Sequence, residues 1–404
     1  MKKNFKTRRV ISMDTRLYMY VSQWAFILGE PGLSLYSFDP ETGVIAFEKQ
    51  LNSELSLGCT MVDQAKKLIY LCNECDLFPQ TPYSTGRVYC FSIDSATGDL
   101  SLVSKQDTYC PFTSYLNTDP EGKYLVVSNH SMNNFSTVVQ RDEHGVIRPV
   151  LQHHDSLMNL FRLEKDGSIG EMLDFAKHVA APELQFSLLG KPVIPHPHSV
   201  MRSPSGKLYA CCDKGDGHLY LYTIDREKLK LLSRTLTDVP GSEPRHCAFH
   251  PTRPYLFINH EHTPGDQITL TTFRYSEDGS MEKVATFHAD VSGYEPKEPH
   301  RQQQGMRLSP DGRFLYTQVH GYNLLLTLAV DEETGKLTQI QETPIEGIWP
   351  RSLNFSPDGR FLICCCLEGQ IIVYKVGQDG RLTDTGHHGF TKGAGGVSFF
   401  DPNF

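Results

Sequence analysis

The chain has 404 residues, 39% of them hydrophobic and 21% charged, with a formal net charge of −8. That composition suits a soluble globular protein, and no stretch approaches the roughly 20 apolar residues needed to cross a bilayer. The acidic balance and the lack of a second basic block argue against nucleic acid as the main partner.

Residues 1–14 begin with Lys2, Lys3, Lys6, Arg8 and Arg9, but the apolar run behind them is only Val10, Ile11 and Met13, broken by Ser12. A secretory leader needs a longer apolar core, so a basic solvated tail is expected ahead of one domain over 15–404. The cysteines number eleven, among them the runs Cys211-Cys212 and Cys364-Cys365-Cys366. Successive strand residues face opposite ways, and Cys72, Cys75, Cys90 and Cys110 show no paired CxxC spacing. Free buried thiols in a cytoplasmic protein are therefore expected, not disulfides or a zinc site.

From residue 17 a repeat fills the chain. Residues 17–21 read as the second strand of a four-stranded unit that lacks its first. A turn then recurs roughly every 50 residues, the spacing of a propeller blade. Its copies are Val62-Asp63-Gln64-Ala65, Asp119-Pro120-Glu121-Gly122, Ser203-Pro204-Ser205-Gly206, His250-Pro251-Thr252-Arg253, Ser309-Pro310-Asp311-Gly312 and Ser356-Pro357-Asp358-Gly359. A tight turn closes the outer strand pair of each unit: Thr42-Gly43, Thr97-Gly98, Asp166-Gly167, Asp278-Gly279, Thr334-Gly335 and Asp379-Gly380, with Glu227-Lys228 in the fourth. The third unit also carries Glu143-His144-Gly145, which predicts an insertion over about 142–190. Residues 396–400 read as a first strand lacking its successors, the complement of residues 17–21. The pattern predicts an all-β, seven-bladed β-propeller closed by pairing of its terminal strands.

In such a blade the first strand lines the channel and the second runs back beside it. Residues just before the first strand and just after the second therefore share one face, opposite the Pro-Asp-Gly turns. The polar residues collect there. Before first strands lie His196-Pro197-His198, Glu243-Pro244-Arg245-His246, Arg301 with Gln302-Gln303-Gln304, and Trp349-Pro350-Arg351. After second strands lie Asn73-Glu74, Asn129-His130, Asp213-Lys214, His260-Glu261 and His320. A ring of His, Arg and Glu around a concave mouth suits a small-molecule site. His198, Arg245 and Glu261 stand out, with His196, His246, Arg301, His320, Arg351, Glu74, His130 and Asp213 as further binding candidates. Each also has a structural reading as a tie between blades. No third ligand is evident beside His260-Glu261-His262 or His196-Pro197-His198, so no metal is assigned. Neither a Gly-x-Ser-x-Gly elbow nor a phosphate loop is present, and no cofactor is expected.

The segments Pro195-His196-Pro197-His198-Ser199-Val200 and Pro244-Arg245-His246-Cys247-Ala248-Phe249-His250-Pro251, with the two Ser-Pro-Asp-Gly-Arg-Phe-Leu turns, resemble the seven-bladed lactonase family. That family includes propeller-type 6-phosphogluconolactonases and carboxy-cis,cis-muconate cyclases. The resemblance spans essentially the whole chain. It implies a catalytic centre of His198, Arg245 and Glu261 acting on a sugar lactone, with His198 or Glu261 as base and Arg245 at the developing oxyanion. Where the family's sixth blade usually has Asn-Arg-Gly, this chain has Val319-His320-Gly321, and the seventh blade's Asn-Gln is Cys366-Leu367. The lost arginine weakens the case for a phosphorylated substrate; Arg301 or Arg351 could replace it. A lactonising cycloisomerase and a non-catalytic binding scaffold are the alternatives.

Overall fold

The computed structural model describes residues 16–25, 30–75, 83–180, 193–237, 242–263, 267–298 and 301–404. The expected basic tail over 1–14 lies outside the described residues. Every regular element among them is a β-strand, and the strands form seven four-stranded blades plus one two-stranded hairpin.

Strand β30 (Ala394–Phe400) pairs antiparallel with β1 (Leu17–Gln23), so the first blade is built from both ends of the chain in the order β30-β1-β2-β3, where β2 is Gly32–Phe38 and β3 Ile45–Leu51. The innermost strands touch in a closed ring. Each blade buries its second and third strands almost completely, whereas the outer strand is half-buried to exposed along most of its length.

The repeated turns explain the register. Ser309 Oγ donates to Asp311 Oδ1 at 2.6 Å and accepts from Phe314 N at 3.0 Å, while Gly312 N reaches Ser309 O at 2.8 Å. Ser356, Asp358, Phe361 and Gly359 repeat these contacts at the same distances. The glycines sit at φ 81° and 73°, a region that a side chain disfavours. Neighbouring blades are tied by buried tyrosines that donate to the next blade's outer turn: Tyr20 to Gly98 O at 3.0 Å, Tyr70 to Gly167 O at 2.7 Å, and Tyr316 to Gly380 O at 2.8 Å.

Two expectations are corrected in detail. The fourth blade's outer turn centres on Arg226 (φ 49°) and Glu227 (φ 64°), one residue earlier than expected, with Asp225 pairing with Lys228. The third-blade insertion is the hairpin of β10 (Phe135–Arg141) and β11 (Ile147–His153), placed between that blade's second and third strands. Residues 156–178, expected inside the insertion, instead supply the blade's own third and fourth strands, β12 (Ser156–Leu163) and β13 (Ile169–His178).

Candidate functional site

One local device recurs in every blade. Near its start the innermost strand slips register against the second strand, so extra backbone bulges toward the channel. In the second to fifth blades the bulged residues are Gly58, Ser114, His198 and Arg245; in the seventh and first they are Arg351 and Gly395. The sixth blade places Gln304 and Gly305 together opposite Gln318. A bulge re-aims its side chain. Three of these slots thus carry His198, Arg245 and Arg351, and one carries Gln304.

The returning strands supply the opposite wall. Their last residues, Asn73, Asn129, Asp213 and His260, pair across the hairpin, and the residue after each one turns to the channel. That second slot holds Glu74, His130, Lys214 and Glu261. Together the two sets line a cavity of 220 Å³, completed by Trp24, Phe112, Ser131, Asn133, Gln302 and Trp349. Phe112, Ser131 and Trp349 all have left-handed backbone, at φ 56°, 66° and 59°. A bulky residue held there marks a constrained rim.

At the centre, Arg245 Nε donates to Glu261 Oε2 at 2.9 Å, and Lys214 Nζ reaches the same oxygen at 2.9 Å. The hairpin therefore carries Arg245 and Glu261 to a common point. Burial would raise the Glu261 pKa, but Lys214 and Arg245 more than offset it and hold the carboxyl well below its usual value. Burial pushes Glu74 upward against the opposing pull of Arg351, Arg245 and Lys214. Arg351, stacked 4.1 Å over the Trp24 ring, is lowered to about 10 by burial and then by Arg245. His198 is held well below the ordinary imidazole value by burial, and next by Arg245 and His246.

Among the described residues that line the cavity, His198 Nδ1, Arg245 Nη1 and Gln304 Oε1 are buried polar atoms without a hydrogen-bond partner. Leaving such groups unsatisfied is unfavourable, typically by about 1–3 kcal/mol, so they are natural contacts for a ligand.

Of the residues singled out from the sequence, His198, Arg245, Glu261, Arg351, Glu74 and His130 line the cavity. The other five do not. His196 stacks behind His130 at 4.4 Å and donates from Nδ1 to His130 O at 2.5 Å. His246 lies beneath, its Nδ1 donating to Gln304 O at 3.0 Å and its Nε2 accepting from Tyr115 Oη at 2.5 Å. Arg301 packs over Tyr322, and His320 stacks on Trp349 at 5.0 Å.

Asp213 is fully buried. Its Oδ1 accepts from the backbone N–H groups of His196, Gly215 and Asp216, and its Oδ2 pairs with His178 Nδ1 at 2.7 Å. It and His320 occupy the slot that pairs across the hairpin, one residue short of the channel-facing position. Asp213→Ala, which orphans three N–H donors and His178, is expected to lower stability by roughly 3 kcal/mol in urea denaturation. Lys214, Gln304 and Trp349 fall in mouth segments named from the sequence but were not singled out there, and Trp24 and Phe112 were not named. Lys214 was legible in principle, since it follows Asp213 as Glu74 follows Asn73.

Glu243, Glu261 and His262 bring possible ligand atoms within 4.8 Å of one another. Their charges are already matched, however: Glu243 Oε2 accepts from His262 Nδ1 at 2.7 Å, and Lys214 and Arg245 occupy Glu261 Oε2. Two cations at the Glu261 carboxylate oppose a metal ion.

The family model described as "Lactonase, 7-bladed beta-propeller" matches residues 28–399. The chain belongs to the seven-bladed β-propeller lactonase family. Among curated relatives of this lactonase-family chain, the 6-phosphogluconolactonase of Formosa agariphila is 23% identical over 85% of the chain and 88% of its own length. The 6-phosphogluconolactonase of Bacillus subtilis is 21% identical over 86% and 89%. The solved structure of the Pseudomonas aeruginosa periplasmic gluconolactonase shares the fold, with a TM-score of 0.78 and 22% identity over 96% of this chain and 99% of its own. Family membership places the chain among hydrolases of cyclic carboxylic esters.

Proposed function

We propose that the chain hydrolyses a sugar lactone, with His198 as the base that activates water and Arg245 as donor to the oxyanion. The observation that carries this reading is the pair of buried, unpartnered atoms, His198 Nδ1 and Arg245 Nη1, on two residues that line the same cavity. Glu261 then acts as an anchor: its Oε2 is engaged by both Lys214 and Arg245, whereas His198 Nδ1 has no protein partner and is free to meet the water. In this scheme water adds to the lactone carbonyl as His198 takes its proton. Arg245 Nη1 donates to the resulting oxyanion, and the ring C–O bond breaks as His198 returns the proton to the leaving oxygen. The products are one hydroxyl and one carboxylic acid, which ionises at neutral pH.

The cations also bear on substrate class. Glu74 and Glu261 offset two of the three charges on Lys214, Arg245 and Arg351, which favours an uncharged or singly anionic ligand. A free aldonolactone fits that balance, whereas a phosphomonoester carries about −1.5 to −2 charges at pH 7; the 6-phosphogluconolactonases among the relatives still make the phosphorylated one worth testing. We place the protein in the cytoplasm on the strength of its eleven cysteines, none of which is in a disulfide.

Acid release measured by pH-stat over free and phosphorylated aldonolactones, with a carboxylated muconate as comparison, tests the assignment. Consumption of the muconate without acid release from any lactone would overturn it. The pH profile has a definite sign. The base works only when neutral, and the His198 pKa lies well below 6.5 in the folded protein. At saturating lactone, kcat should therefore persist below pH 6.5 and fall only when the lower His198 pKa is crossed. An acid limb in kcat centred at or above 6.5 would exclude His198 as the base.

A further inference from the structure

A second set of polar groups, separate from the Arg245–Glu261 pair, ends in the cavity. It begins at Glu243, whose Oε2 accepts from His262 Nδ1 at 2.7 Å. The His262 Nε2 faces Gln302 Nε2 at 3.0 Å, and Gln302 Oε1 faces Gln304 Nε2 at 3.0 Å. A carboxylate only accepts, so the His262 proton sits on Nδ1 and Nε2 must accept. Gln302 then donates to His262 and accepts from Gln304, which fixes the direction of both amides. What remains is Gln304 Oε1. It has no partner, its residue is 1% exposed, and Gln304 lines the cavity.

We propose that Gln304 is a specificity-determining residue whose Oε1 accepts a hydroxyl of the ligand, and that the chain Glu243–His262–Gln302 sets which end of its amide faces the cavity. The inference rests on the sugar-lactone reading for the ligand's identity, though not for the relay. It has a consequence for polarity. Protonating His262 turns Nε2 into a donor, which Gln302 can meet only by presenting its oxygen. Gln302 Nε2 then faces Gln304, whose amide must turn in the same sense and present its NH₂ to the cavity. One proton at His262 thus exchanges an acceptor for a donor at the ligand, two side chains away.

The groups facing His262 set when this happens. Burial opposes protonation, whereas the hydrogen bond and charge of Glu243, followed by Glu261, favour it, and Lys214 opposes it. The balance raises the His262 pKa above that of free imidazole. The acceptor form therefore dominates on the alkaline side and the donor form on the acid side.

The test reads binding instead of turnover, using lactams, which resist hydrolysis. The two tryptophans of the chain, Trp24 and Trp349, both line the cavity and report occupancy by fluorescence. Two ligands are compared: D-glucono-1,5-lactam, which carries ring hydroxyls, and piperidin-2-one, which carries none. Gln304→Met is expected to weaken the hydroxylated lactam about tenfold, the effect of one lost hydrogen bond, and to leave piperidin-2-one within about twofold.

For the wild type, the Kd of the hydroxylated lactam should rise several-fold between about pH 8 and about pH 5.5. Gln302→Met cuts the relay but keeps His262 and Gln304, and should abolish that rise. Glu74 also titrates in this cavity, and Gln302→Met leaves it in place, so the comparison isolates the relay. Equal weakening of both lactams by Gln304→Met, no binding of the hydroxylated lactam by the wild type, or a pH dependence that survives Gln302→Met would each overturn the inference. Tight lactam binding with no hydrolysis of any lactone would instead sink the proposed activity and leave the Gln304 relay standing.

Discussion

Arg245→Ala is expected to reduce kcat on the lactone substrate by about 10²–10³-fold, the range seen when one oxyanion donor is removed. The substitution is clean because of its surroundings. Arg245 shares Glu261 Oε2 with Lys214, which lies 2.9 Å from the same oxygen. Removing the guanidinium therefore leaves the buried carboxylate paired, and thermal unfolding should shift by only a few degrees. Glu261→Gln is the harsher change. It leaves Lys214, Arg245 and Arg351 facing Glu74 alone, so Lys214 and Arg245 lose their shared anchor and Nη1 loses its aim. Activity should fall at least as far, with a larger drop in stability. Near wild-type turnover in both variants, measured by acid release on folded protein, would remove this centre from the mechanism.

The second large effect concerns ring closure. Strand β30 supplies the channel-lining edge of the first blade, and its Phe400 is almost fully buried against Tyr18, with ring centroids 6.4 Å apart and nearly parallel. Phe399 packs edge-on to Phe38 at 5.1 Å. Phe400→Ala should cost about 3–5 kcal/mol, read as a lower denaturation midpoint at an unchanged slope. Deleting 394–404 removes all of these contacts and exposes both the edge of β1 and the core beneath it. That variant should fail to fold cooperatively and should aggregate. A soluble, cooperatively melting truncation would show that the blades hold together without closure.

The fold was legible because its information is local and repeated. A Ser-Pro-Asp-Gly turn uses the same hydrogen bonds wherever it occurs, so Ser309 and Ser356 announce two blades without reference to the rest of the chain. The hairpin at 135–153 was harder for the same reason. Phe135, Thr137 and Val139 alternate as in any blade strand, yet both strands of the hairpin are largely exposed. Strand propensity does not reveal whether a core lies underneath. The site was legible as far as hairpin spacing reaches, which brought out Arg245, Glu261, Glu74 and His130. It failed at single-residue parity: Asp213 and Lys214 are neighbours in sequence, but one ties the hairpin and the other faces the channel. Gln304 and the aromatic rim were hidden because a bulge and a left-handed backbone at Trp349 leave little trace in composition.

The bulge slots also say how such a mouth can be retuned. Seven equivalent notches surround one opening, and they are filled unevenly, with imidazole, guanidinium or amide on one arc and Gly58, Ser114 and Gly395 on the rest. The vacant notches differ in kind. A methyl group at Gly58 would strike the Glu74 carboxylate, whereas one at Gly395 would meet only ordinary contacts, the nearest being 3.4 Å from Trp24. Since each notch belongs to its own sheet, an open one such as Gly395 can be filled without disturbing the frame around it. The rim behaves as a set of interchangeable teeth on a fixed wheel, and a new specificity requires replacing a tooth, not rebuilding the wheel.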